Sequence, residues 1–117
     1  MGAQTFSTTI IGKFRTSRDA YREACREAID YSGHQEGYSG DIQTTSGSHL
    51  YKDVPRYDTR KYLNWVDEII EKNHQDGSGR CGCVEIKGAK LKLMRIREGL
   101  HGKQGVKAFH FFGWCKA

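Results

Sequence analysis

Cys81 and Cys83 stand two apart in CGCVEIKG (residues 81–88). On an extended strand that spacing turns both thiols to the same side. With Cys115 and His110 they complete a four-ligand set of the kind that holds zinc. His110 and Cys115 are five apart, however, and on a strand point to opposite faces. Cys-x-Cys is also not the wider knuckle of structural zinc sites. The pattern favours small core thiols beside Gly82, and neither a metal nor a cofactor is expected. A cysteine nucleophile would need a base beside it and an electropositive setting. Nothing in the spacing sets His34, His49, His74, His101 or His110 against any cysteine, so no catalytic residues are assigned.

GHQEGYSGDI (residues 33–42) has glycines able to cradle a phosphate. A Walker loop follows a strand, opens a helix and carries a Gly-Lys pair. This stretch follows a helix, enters a strand and lacks the lysine. It reads either as a helix cap at Gly33 running into a turn, or as a ligand loop in which Tyr38 stacks and Ser39 donates. The basic end of the chain carries the stronger signal. Residues 84–117 hold 8 Lys and Arg against 2 Asp and Glu, whereas residues 1–83 hold 11 against 12. All the excess positive charge therefore lies in the last third, which points to an anionic partner or to a solvated rim around a core strand. Lys90, Lys92, Arg95 and Arg97 are the candidate phosphate contacts, and Phe111 and Trp114 the candidate stacking groups, because phosphates take the charge and bases the stack.

These groups need elements to position them. Residues 5–11, TFSTTII, favour a first strand. TSRD at 16–19 is a capping pattern, followed by Ala20, Tyr21, Ala24, Cys25, Ala28 and Ile29 along one helical face. A second strand is expected at 41–45. A second helix is expected after Asp58, with Tyr62, Leu63, Val66, Ile69 and Ile70 as its stripe. Residues 81–88 read as a third strand. KLKLMRIR (90–97) suits a fourth strand, although a short helix fits the same residues. VKAFHFFGWC (106–115) is the last strand. The expected architecture is a single α+β domain over residues 1–117, ordered β-α-β-α-β-β-β, with a mostly antiparallel sheet and two helices on one face.

The last strand is apolar on both faces: Phe109 and Phe111 on one, Phe112 and Trp114 on the other. Such a strand is central and covered twice. With both helices on one side, the second cover is the 33–55 loop, a ligand or a sister subunit, and a sister subunit, as a homodimer or higher oligomer, is the favoured one. Apolar content of 37% and charged content of 28% fit a globular domain. No run of about 18 apolar residues occurs, so no membrane partner is expected. MGAQTFSTTI lacks the features of a signal peptide, and a cytoplasmic location with reduced cysteines is expected.

Four stretches, MGAQTF, GYSGDI, GRCGCVEI and FHFFGWC, resemble in order and spacing a group of small proteins encoded by bacteriophages and prophages. In that group a Gly-Ala start, a GY-x-G-x-I stretch and a terminal FFGW recur. The group carries over no catalytic residues. The resemblance implies a small viral protein in an infected or lysogenic host that counters a bacterial defence. The expected function is then a non-enzymatic inhibitor that engages a nucleotide-derived signal or nucleic acid. The alternatives are a protein–protein inhibitor of a host nuclease complex of the CRISPR type, acting through the aromatic C-terminal strand, and a small nucleotide-acting enzyme.

Overall fold

The computed structural model describes residues 3–32, 42–73 and 79–116. Its organising element is the last strand, β4 (Val106–Lys116), in which Phe109, Phe111, Phe112 and Cys115 are fully buried. β1 (Ala3–Lys13) runs antiparallel along one side of β4, in unbroken register from Ala3 opposite Lys116 to Lys13 opposite Val106. β3 (Cys81–Ile86) pairs antiparallel along the other, with Gly82 opposite Phe112 and Ile86 opposite Ala108. The three-residue β2 (Ser48–Leu50) lies parallel to β3, giving the order β1-β4-β3-β2.

Alternation along β4 divides the core in two. Phe109 and Phe111 join Ile10, Cys81 and Cys83 beneath α1 (Ser17–Ser32), which contributes Ala20, Ala24 and Ala28. The small stripe lets the helix lie close to the sheet. Thr16 starts it, its Oγ1 accepting from the Asp19 N–H at 3.3 Å. Phe112 and Val84 face the other way, beneath Tyr62 and Val66 of α2 (Arg60–Lys72), with Tyr51, Trp65 and Ile70 around them. Thr59, rather than the expected Asp58, caps α2 by accepting from the Tyr62 N–H at 3.2 Å.

The α+β class is as expected, and four details of the expected arrangement change. The two helices cover opposite faces of the sheet, because each apolar face of β4 needs its own cover and the Tyr62–Val66 stripe supplies the second. The argument for a sister subunit over that face therefore loses its basis. The strand expected at 41–45 is a single 3-10 turn, Ile42–Thr44, closed by the Thr45 N–H and Oγ1 on the Ile42 carbonyl at 3.0 and 2.7 Å. Pairing begins only at Ser48. Residues 90–97 lie in a helix, α3 (Gly88–Arg97). It ends in a Schellman cap: Gly99 takes φ 71°, its N–H bonds the Ile96 carbonyl at 3.1 Å, and the Leu100 N–H bonds that of Arg95 at 2.7 Å. Finally, β4 is paired on both sides, so no partner strand can add to it.

Gly82 faces the α2 layer, where the Phe112 ring lies directly over it. A Cβ there would stand 2.6 Å from Phe112 Cε2. That ring has no room to yield: it is 0% exposed and packs against Tyr51 and Trp65. Gly82→Ala is expected to destabilise the fold by about 1–3 kcal/mol through overpacking, read as a lower urea midpoint with an unchanged slope.

Candidate anion-binding site

Arg18 and Arg22 are four apart on α1 and so share one face of the helix. Their side chains are exposed. Arg80 arrives from the residue before β3. The parallel pairing of Ser48 with Cys81, and the bonds from the Cys81 N–H to the Gly47 carbonyl at 2.9 Å and from the Ser46 N–H to the Gly79 carbonyl at 3.1 Å, hold it beside the 46–48 segment. There its Nη2 donates to the Ser48 carbonyl at 2.7 Å, which fixes the guanidinium. The three arginines line one cavity of about 610 Å³ with Ser17, Ser46 and Ser48.

Among the described residues no carboxylate lines this cavity. Among the described residues, neither Arg18 nor Arg22 forms an ion pair, whereas Arg26, on the same helix, is paired with both Glu23 and Asp30. The glutamate, bonded to Arg26, titrates below its ordinary range. Tyr21 closes the inner wall. Its hydroxyl donates to the Thr45 carbonyl at 3.1 Å and meets Thr45 Oγ1 at 2.6 Å. Burial pushes its pKa up to about 12, so it is a neutral phenol and adds no opposing charge. Among the described residues the cavity is thus a set of guanidinium and hydroxyl donors beside the apolar Leu50. Guanidinium forks match phosphate or carboxylate oxygens two at a time.

The residues expected from sequence do not converge. Tyr38 and Ser39 lie outside the described residues. Lys90, Lys92, Arg95 and Arg97 are on α3, and the helical period puts Lys90 and Arg97 on one flank and Lys92 and Arg95 on another. Lys90 pairs with Asp58 at 3.2 Å, and Arg95 donates to the Lys103 carbonyl at 2.6 Å. Phe111 is 0% exposed under α1 and offers no face for stacking. Trp114 points to the α2 side, its Nε1 donating to the Ile70 carbonyl at 2.8 Å. α3 follows the end of β3 while Arg80 precedes its start, so the two basic groups are about 20 Å of extended chain apart.

Sequence reading left Arg18, Arg22 and Arg80 unassigned. The first two lie on the polar face of an amphipathic helix, where arginine is unremarkable. Their one legible signal was the four-residue spacing, and Arg80 joins them only through the β2–β3 pairing.

The cysteines play no part in this site. Cys81 and Cys83 are buried beneath α1, and burial pushes Cys81 up to about 12 and raises Cys83 as well. Both are thiols at neutral pH, which removes their nucleophilic form. Among the described residues no group of three His, Cys, Asp or Glu is placed to hold a metal ion, and no described helix is long and apolar enough to cross a membrane. No protein-family model matches the chain, and neither a curated protein nor a solved structure matches it.

Proposed function

We propose that this protein binds a phosphate-bearing ligand of about nucleotide size in the cavity between α1 and the 46–48 segment. One observation carries the proposal: three arginines from two distant parts of the chain line a single cavity in which, among the described residues, no carboxylate stands. Its volume of about 610 Å³ lies within the range of small-molecule sites. Arg18 and Arg22 supply the exposed forks, and Arg80, already anchored on Ser48, supplies a pre-set one. Among the described residues the lining is guanidinium and hydroxyl groups with no histidine, cysteine or carboxylate, a set suited to capture of an anion. The resemblance to phage proteins gives such capture a context: withdrawal of a nucleotide signal, or contact with nucleic acid, in an infected bacterium.

The test is calorimetric titration with a nucleoside triphosphate, a cyclic dinucleotide and a short single-stranded oligonucleotide. At least one should bind and raise the melting temperature in proportion to its excess over Kd. Affinity should fall with added salt. Arg18→Ala and Arg80→Ala are each expected to weaken binding about tenfold, the loss typical of a charge-assisted hydrogen bond. Arg95→Ala with Arg97→Ala, on α3, should leave it unchanged. Binding that survives the cavity variants and disappears with the α3 variant would move the site to α3.

A further inference from the structure

The two edges of the sheet are built differently. β2 is three residues long, and Asp53, with φ 55°, and Pro55 follow it. Short edges, charges and prolines are the usual devices that stop a strand from pairing with another chain. β1 has only a charge at its last residue, Lys13. It runs for eleven residues, AQTFSTTIIGK, with no proline and no charge before Lys13. Its register with β4 holds from end to end without a bulge. Among the described residues nothing pairs with its outer edge.

We infer that this edge is a dimerisation surface, and that its occupant is β1 of a second copy of this chain, running antiparallel about a two-fold axis perpendicular to the sheet. Such an axis keeps the two sheet faces in common, so directly opposed residues must belong to the same face. Full overlap of the strand then places the axis at Thr8. Thr8 faces its own equivalent, Ser7 faces Thr9, Phe6 faces Ile10, and Lys13 lies opposite Ala3. No like charges meet. The groove beside the edge fits this register. Thr8, Thr9 and Ile10 of β1, with Ala24, Ala28 and the exposed Glu27 of α1 and Ile42, line a cavity of about 300 Å³ on the α1 side. Phe6 of the second copy, opposite Ile10, stands over that groove, and the symmetry repeats the contact. The product is one continuous eight-stranded sheet with both long edges removed. This proposal does not depend on the arginine cavity.

The experiment is light scattering on the intact chain at high micromolar concentration, with two sets of variants. The wild type should give twice the monomer mass. Thr5→Lys with Thr9→Lys changes two exposed side chains on the α2 side and introduces four lysines around the axis. That variant should halve the mass while keeping its circular dichroism. Thr8→Cys should form an interchain disulfide on mild oxidation, because the two equivalents face each other, and Thr9→Cys and the wild type should not. A monomeric wild type, a dimer that survives the lysine pair, or cross-linking through Thr9→Cys in place of Thr8→Cys overturns the proposal. If the lysine variant fails to fold, the cysteine pair alone decides it.

Discussion

Phe112→Ala is expected to lower the unfolding free energy by about 3–5 kcal/mol, the usual loss for emptying a buried aromatic site. The ring is 0% exposed and lies among three other rings: it stacks on Tyr51 at 6.3 Å, meets Trp65 edge-on at 5.8 Å and lies 5.2 Å from His110. Its neighbours are rigid rings, so the void has little means to close. A single domain commonly holds only about 5–15 kcal/mol in total, so the variant should unfold at much lower urea. Gly82→Ala offers an internal check. Its cost arises from collision with this same ring, so in the Phe112→Ala background the added methyl should be tolerated and the two effects should fall well short of additive. Additive losses would show that Gly82 is constrained by something other than Phe112.

The second large effect is a loss of stability in mild acid. His110 is 6% exposed, and burial lowers its pKa to about 4. Its Nδ1 lies 2.6 Å from the Tyr62 hydroxyl and its Nε2 2.6 Å from Ser7 Oγ. Burial holds Tyr62 as a protonated phenol, and the only partner of that hydroxyl among the described residues is Nδ1. Tyr62 therefore donates to Nδ1, and Nε2–H donates to Ser7. Protonating the ring puts a second N–H against a hydroxyl that is already donating, in a site that disfavours charge. Because the folded pKa lies below the ordinary value, the unfolded chain takes up the proton first as pH falls. The stabilisation is complete above about pH 6.5 and is lost between there and about pH 4. The pKa difference corresponds to about 3 kcal/mol by pH 4. Urea midpoints measured across that window should fall accordingly, and His110→Gln should flatten the dependence over its upper part, before the carboxylates titrate. An equally steep profile in that variant would assign the acid sensitivity to other groups.

Two of these elements show what the chain itself specifies. TSRD and the alanines at 20, 24 and 28 define α1, because a cap and a small-residue stripe at helical spacing are local properties of consecutive residues. VKAFHFFGWC defines β4 and its central place in the same way, since alternation put aromatic residues on both faces. Residues 90–97 were ambiguous, because leucine and lysine alternate with a strand's period while being strong helix formers. Gly99, free to take a positive φ, ends that stretch as a helix.

Sequence alone thus determined which segments would bury themselves, because burial follows the local period of apolar side chains. It did not determine which face each helix would take, nor which cations would meet. Those depend on pairing between segments far apart in the chain: β2 against β3 carries Arg80 to Arg18 and Arg22, while helical winding parts the cations of α3. Charge carries no periodic signature of its own, so a cluster of like charges is visible only once the backbone has brought it together.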